Sequence, residues 1–347
     1  MAEAELSLCK RMLQLLLSCV GRAESMQLFG ERYRVERKLG EGATANVLLL
    51  RKTGGVAHGD ALVALKVICA AREKRGAVET EIAALGRVRG SPLVLELLCS
   101  EILPTRNADV LEARLLFRYC EGGTALTALE QARSDQGGGL SEPAALEIFE
   151  QMAAAVAHCH ARDVIHRDIK LTNVYLTSRN GTRMWVLGDF GSALLSAQSA
   201  HIAHRVELLC AREEVEELTT PEYRAPEQVA LELGSRLSSA VDAWALGVSL
   251  HQMLFDANPF ATPLATLSAR AVTDKEHAAS GGLQELLREL LQRNASSRLT
   301  AAAAQRRARA LQREVHGTEP PDPEQGCGGG GRNHDESSDI GWANFGQ

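Results

Sequence analysis

Apolar positions along the chain change period about a third of the way in. Residues 33–50 read as a strand, a glycine turn at Gly40-Glu41-Gly42-Ala43, and a second strand. Residues 62–68, Leu-Val-Ala-Leu-Lys-Val-Ile, form a denser apolar run and predict a third strand. Val78, Ile82, Leu85 and Val88 then recur at helical spacing, which predicts a helix over 76–88. Two further strands are expected at 93–102 and 111–119, and Cys120-Glu121-Gly122-Gly123 reads as a flexible connector.

Helical spacing takes over beyond the connector. Ser141-Glu142-Pro143, after a glycine-rich loop at 136–139, supplies an N-cap serine with proline just inside. Leu146, Phe149, Met152, Val156 and Cys159 follow as the inward stripe of that helix. A short strand is expected at 174–176. Farther on, Leu208, Ala211, Val215 and Leu218 share one helical face, with Glu213, Glu214, Glu216 and Glu217 mostly outside it. Val241-Asp242-Ala243-Trp244-Ala245-Leu246-Gly247 opens a long buried helix, and helices are predicted at 283–291 and 301–312, the arginines of the last read as a solvated face. From Gly317 on, the prolines at 320, 321 and 323 and five glycines between 326 and 331 predict a disordered tail.

Composition narrows the function classes. With 347 residues and 45% hydrophobic content, the chain can bury the core of one large two-lobed domain. A net charge of −6 argues against a nucleic-acid partner, which would call for a basic excess. The eight cysteines are scattered, without Cys-x-x-Cys pairs or zinc-ligand spacing, and fit reduced thiols of a cytosolic protein. Residues 13–20 are apolar and follow Lys10 and Arg11, but Glu3 and Glu5 spoil a signal peptide. No run reaches the roughly 20 apolar residues of a spanning helix, so no transmembrane segment is expected. Met-Ala-Glu cannot be myristoylated. Cys9 and Cys19 are candidates for palmitate and peripheral membrane association, against the plainer reading of a short helix packed on the domain.

Chemistry concentrates at Val164-Ile165-His166-Arg167-Asp168-Ile169-Lys170-Leu171-Thr172-Asn173. A carboxylate (Asp168) can orient a hydroxyl and accept its proton, an ammonium (Lys170) can offset charge on a phosphoryl group in flight, and an amide oxygen (Asn173) suits a hard divalent cation. The glycine turn at 40–42 leaves backbone N–H groups free to close over phosphates. Lys66 sits inside a β-branched run, where the alternative is a lysine snorkelling from a strand edge. Asp189-Phe190-Gly191, beyond a strand and a turn, adds a second carboxylate and a glycine pivot.

In this order and context the motifs resemble those of eukaryotic protein kinases. The resemblance implies an α+β, two-lobed fold: a small antiparallel sheet with one key helix (33–119) and a larger, mainly helical lobe (120–313), flanked by an N-terminal extension (1–32) and a tail (314–347). ATP and Mg2+ are the implied cofactors. Lys66 would hold the α/β-phosphates and pair with Glu81, with Glu79 as the fallback. Asp168, Lys170, Asn173 and Thr220 would act at the transferred group, and Asn173 and Asp189 would hold the metal. Leu39, Gly40, Glu41, Gly42, Ala43, Val47, Ala64, Phe117 as gatekeeper, Arg118, Cys120 and Tyr175 would surround the nucleotide. Ala45 in place of a third glycine, Arg118 where glutamate is frequent, and Tyr175 where Leu or Phe is commoner depart from the family pattern.

The segment 192–227 ends in Thr220-Pro221-Glu222-Tyr223-Arg224-Ala225-Pro226-Glu227. Its Thr220 resembles the threonine that favours Ser or Thr over Tyr as acceptor. The helical pattern inside it, Gly191-Ser192 and the Tyr-Arg-Ala-Pro-Glu ending resemble the numb-associated kinase group, including its small Golgi-linked members. That likeness implies a cytoplasmic Ser/Thr kinase acting on protein substrates in membrane trafficking, peripheral to Golgi or endocytic membranes. The alternative is a pseudokinase scaffold or trafficking adaptor, against which Lys66, Glu81, Asp168, Asn173 and Asp189 weigh. The likeness further implies that Asp242 holds the catalytic loop and that Arg298 pairs with Glu227. A glutamate of the segment is expected to pair with Arg167 as a phosphate would, with Ser196, Ser199 and Thr219 as alternative switch points. Asn258-Pro259-Phe260 is read as structural rather than as a docking tripeptide. Trp342-Ala343-Asn344-Phe345, after Asp335, Glu336 and Asp339, resembles Trp-x-x-Phe peptides read by clathrin-adaptor appendages.

Overall fold

The computed structural model describes residues 25–41, 45–53, 62–103, 110–195, 202–268 and 279–316. Strands dominate first and helices afterwards, an α+β arrangement. Strands β1 (Met26–Leu28), β2 (Glu31–Glu41), β3 (Ala45–Lys52), β4 (Leu62–Ala71), β5 (Leu97–Leu103) and β6 (Val110–Arg118) form an antiparallel sheet in the order β1-β2-β3-β4-β6-β5. The two-residue period of β4 divides its side chains between two environments. Val63, Leu65 and Val67 join Leu28, Tyr33, Val35, Leu48 and Leu50 in a cluster on one face. Ala64 and Lys66 point the other way and line a cavity.

Two strand boundaries differ from the sequence reading. The sheet begins at Met26, inside the expected extension, because Phe29 and Gly30 both take positive φ and turn β1 back onto β2, a tight hairpin that Phe-Gly does not advertise. β5 starts at Leu97 rather than at 93 because the preceding residues pair elsewhere: Leu95 N–H donates to the Leu187 carbonyl at 2.8 Å, and Leu187 N–H to the Leu93 carbonyl at 2.9 Å.

Helix α1 (Arg75–Arg87) packs Val78, Ala84 and Leu85 into the main core. Helix α2 (Ala125–Gln136) was not foreseen, since its buried stripe is only Ala125, Leu129 and Ala132. Local capping makes it: Thr124 and Thr127 exchange side chain to backbone bonds at 2.7 and 3.2 Å, and Gly137 closes the far end at φ 73°. Helix α3 (Glu142–His160) carries the expected stripe inward. Ser141 stands at its N-cap, but its side chain makes no capping bond there, so Pro143 and the backbone fix this start.

Helices α4 (Arg205–Leu218), α5 (Pro226–Val229), α6 (Ala240–Phe255), α7 (Gly281–Leu290) and α8 (Ala301–His316) complete the larger part, with short strands β7 (Val164–Ile165), β8 (Val174–Arg179), β9 (Thr182–Leu187) and β10 (Leu194–Leu195) among them. The core around α3, α6 and α7 includes Leu146, Phe149, Met152, Leu246, Leu250 and Leu286, all fully or almost fully buried. Each such side chain contributes about 1.5–3 kcal/mol relative to exposure. Phe260 is buried and stacked on Trp244 with ring centroids 5.2 Å apart, and Asn258 accepts from Gln252 at 2.5 Å, so Asn258-Pro259-Phe260 is structural.

Cys9, Cys19, Gly42, Ala43, Ser196, Ser199 and the Trp342–Phe345 peptide lie outside the described residues. Among the described residues no helix is long and apolar enough to cross a membrane. Among the described residues Cys99, Cys120, Cys159 and Cys210 are free thiols.

Candidate active site

A cavity of about 580 Å³ opens between the sheet and the helical part. Leu39, Gly40, Val47, Ala64, Lys66, Phe117, Arg118, Cys120, Tyr175 and Asp189 all line it. Register explains the grouping, since Val47 pairs opposite Lys66, and Ala64 opposite Phe117, across neighbouring strands. Glu41, expected beside the nucleotide, is not among the lining residues; it is exposed and pairs with Lys38, because it stands at the outer end of β2. The Arg118 side chain turns outward to Glu96 at 3.0 Å and leaves the inner surface to backbone. Burial pushes the Tyr175 phenol up to about 12 and the Cys120 thiol up to about 11, so both stay protonated at neutral pH. A Cβ on Gly188 would lie 2.9 Å from both Tyr175 and Leu95, so only glycine fits there.

Lys66 and Glu81, on β4 and α1, meet at 2.8 Å, and the same ammonium reaches Asp189 at 3.1 Å. Glu79, the fallback, is exposed and pairs with Arg75 on its own helix. Burial works against the Lys66 ammonium, but the Glu81 and Asp189 carboxylates outweigh it and hold its pKa above the ordinary lysine range. Burial likewise disfavours the Asp189 carboxylate, yet Lys66 prevails and holds its carboxyl below the usual range.

The segment from Val164 to Asn173 is shaped by a residue far along the chain. Asp242, fully buried on α6, accepts backbone N–H bonds from His166 and Arg167, each at 2.8 Å, and meets His160 Nε2 at 2.8 Å. These bonds hold Arg167 at φ 66°, a conformation a free chain seldom adopts. Asp168 is thereby aimed at its partners. Its Oδ1 accepts from the Thr220 hydroxyl at 2.6 Å, its Oδ2 lies 2.7 Å from Lys170 Nζ, and Lys170 also donates to Thr220 Oγ1 at 2.8 Å. Asn173 Nδ2 donates to the Asp168 carbonyl at 2.9 Å, which leaves the amide oxygen as its acceptor. His166 bonds the Gly188 carbonyl at 3.1 Å and sets its ring edge-on to the buried Phe190, with centroids 4.8 Å apart. Gly188 N–H in turn donates to the Asn173 carbonyl at 2.9 Å and links the two metal-ligand candidates.

Arg167 is nearly buried. Its Nε donates to the Ser192 carbonyl at 2.6 Å, and its Nη1 meets Glu214 on α4 at 3.1 Å. The glutamate expected to face Arg167 is therefore Glu214. Glu217, one turn on, pairs with Lys74 just before α1. Thr219 is buried, donates to the Val215 carbonyl at 2.5 Å and accepts from Arg224 at 2.9 Å, so it is closed to modification in this arrangement. Arg298 pairs with Glu227 at 2.7 and 3.0 Å and lies 5.1 Å from the Trp244 ring centroid.

Asp189 and Asn173, one carboxylate and one amide, would offer hard oxygen donors suited to a divalent cation such as magnesium. A Cβ at Gly191 would stand 3.4 Å from both Asp189 Oδ1 and Lys66 Nζ, so glycine keeps that approach open. His160, Gly188 and Lys74 were not singled out from sequence. Each acts through a partner distant in the chain, and no local pattern marks it.

Residues 33–308 match the family model described as protein kinase domain. CBL-interacting protein kinase 22 of Oryza sativa subsp. japonica is 34% identical over 260 residues, 70% of this chain and 52% of that protein. A probable serine/threonine-protein kinase of Dictyostelium discoideum is 28% identical over 260 residues, 74% of this chain and 22% of its own length. Serine/threonine-protein kinase ppk30 of Schizosaccharomyces pombe is 26% identical over 247 residues, 71% of this chain and 25% of its own length. The chain thus spans from about a fifth to about a half of these relatives.

Proposed function

The chain belongs to the protein kinase family, with a domain of the Ser/Thr type, and from that premise we propose that it transfers the γ-phosphoryl group of ATP to Ser or Thr hydroxyls of protein substrates. The observation that carries this reading is the triangle of Asp168, Lys170 and Thr220, closed by contacts of 2.6 to 2.8 Å. In it Asp168 orients the acceptor hydroxyl and takes its proton, Lys170 offsets charge on the group in transfer, and Thr220 fixes both. Lys66, steadied by Glu81, holds the α/β-phosphates, and Asn173 and Asp189 supply the oxygens for magnesium. Magnesium, when bound, screens the phosphate charge. Leu39, Val47, Ala64, Phe117 and Tyr175 enclose the purine, and backbone near Arg118 and Cys120 meets its edge. Positioning and charge account for most of the acceleration in such a site.

The test is a γ-phosphate transfer assay on a Ser/Thr peptide library beside Asp168→Asn and Lys66→Met. Asp168→Asn is expected to keep nucleotide binding and lose turnover on the order of a thousandfold. Unchanged turnover in that variant overturns the assignment.

The finer kinship with the numb-associated group is supported by α4, a full helix where the resemblance calls for one. A trafficking role, and adaptor binding through Trp342 and Phe345, are part of the same proposal. Pull-down of a clathrin-adaptor appendage by the full chain but not by a chain truncated before residue 339 is the expected result.

A further inference from the structure

The far end of α1 is tied to the helical part by a side chain that phosphoryl transfer does not touch. His158, half-buried in the last turn of α3, places its Nε2 2.9 Å from the carbonyl of Val88, the buried residue that ends α1. A helix leaves its last carbonyls without partners of its own, and a ring N–H supplied from a neighbouring helix satisfies one of them. On the other side of the ring, Arg162 Nη1 stands 3.1 Å from Nδ1. A guanidinium can only donate, so Nδ1 is the acceptor and the proton sits on Nε2, where it is given to Val88. Arg162 thereby selects the neutral tautomer.

This bond falls where the two parts of the molecule meet. Just beyond α1, Leu93 and Leu95 exchange backbone bonds with Leu187 of β9, and Val94 bridges the same residue. Residues 88–95 are therefore fastened to the helical part, although α1 before them reaches β4 through Glu81 and β5 after them joins the sheet. At the other end of α1 the tie is weaker. Lys74 and Glu217 are 47% and 59% exposed, and a pair so open to solvent holds little. The Val88 end is thus the fixed point of the helix. Glu81 lies two turns before it, so a tilt about that end moves the carboxylate relative to Lys66. Their contact of 2.8 Å is lost as a hydrogen bond if it lengthens by less than one ångström.

We propose that His158 is a positioning residue for phosphoryl transfer: its Nε2–H pins the end of α1 to α3 and so sets the distance at which Glu81 meets Lys66. The proposal rests on the kinase reading and adds to that machinery a side chain outside the cavity. Without the bond, the Val88 carbonyl loses its partner, α1 tilts about residues 88–95, and Lys66 is held less closely for the α/β-phosphates. Arg162 acts one step farther out, by keeping the proton on the nitrogen that faces Val88.

The experiment reads γ-phosphate transfer by the full chain to a Ser peptide, with kcat and the peptide KM measured separately. His158→Phe keeps a ring that cannot donate, and is expected to lower kcat roughly fivefold, the scale of one hydrogen bond, with the peptide KM unchanged. His158→Gln, whose Nε2 reaches the place of the imidazole Nε2, should bring kcat back to within about twofold of wild type. In a Glu81→Gln background His158→Phe should lower kcat no further, because the contact it sets is already gone. Should His158→Phe fail to fold by circular dichroism, His158→Ser takes its place in both backgrounds. A wild-type kcat in the variant that cannot donate, no recovery with Gln, or an undiminished loss in the Glu81→Gln background overturns the positioning role while phosphoryl transfer stands. No transfer by the wild-type chain overturns the kinase reading and this role with it.

Discussion

Arg167 Nη1 stands 3.1 Å from Glu214 Oε2, joining the residue before the candidate base to a helix of the downstream segment without any phosphate. Through Ser192, whose carbonyl accepts from the same guanidinium, this contact also fixes the residue after Gly191. Such an arrangement predicts activity without modification. Phosphatase treatment is expected to leave kcat unchanged, and Glu214→Gln to lower it by roughly fivefold, the scale of an ion pair with one exposed partner. Silencing by phosphatase contradicts this.

Lys66→Met removes the cation facing Glu81, which is 4% exposed. Stranding a buried carboxylate costs about 3 kcal/mol, so the variant should unfold at lower urea than wild type as well as lose activity. Lys66→Met/Glu81→Leu should recover most of that stability and none of the activity. Comparison of the urea midpoints checks it.

Burial would raise the Asp242 carboxyl, but the His160 side chain and His166, through its ring and its backbone amide, win and hold its pKa below the usual range. A folded pKa below the unfolded value of about 4 means that the stabilisation is complete above that value and is lost as pH falls through the folded pKa. Asp242→Asn should therefore flatten the acid side of the stability profile and cost about 2–3 kcal/mol at neutral pH, because one backbone amide then faces an NH2 group. Thermal melts across about pH 3–7 measure both effects.

Cys120 borders the cavity between the sheet and the helical part, with its thiol pushed up to about 11 by burial. At pH 8 only about one in a thousand is thiolate, so iodoacetamide should label Cys120 far more slowly than the exposed Cys99 and Cys210. Mass spectrometry of a timed labelling series checks the order, and rapid labelling of Cys120 contradicts it.

Residues whose chemistry is written in their own neighbourhood were legible in the sequence. Lys66 stood out as a cation in a β-branched strand, and Asp168, Lys170 and Asn173 as a close set. The choice between Glu79 and Glu81 was not legible, because helical spacing puts both within a turn of each other and only the approach of α1 to β4 decides. Helix α2 escaped notice because two of its three buried positions are alanines, and Thr124 with Thr127 does its capping. The start of β5 was misjudged since strand propensity does not say which neighbour a segment will pair with, and residues 93–95 take β9. His160 was passed over because its partner, Asp242, comes from another helix.

The division of β4 into two faces has a consequence for change in the chain. Substituting one aliphatic residue for another at Val63, Leu65 or Val67 alters only local fit, but inserting or deleting a single residue before Lys66 would exchange the two faces. The ammonium would then be driven into the cluster of Leu28, Val35 and Leu50, and an aliphatic side chain would meet Glu81. The strand is thus forgiving in composition and intolerant in length.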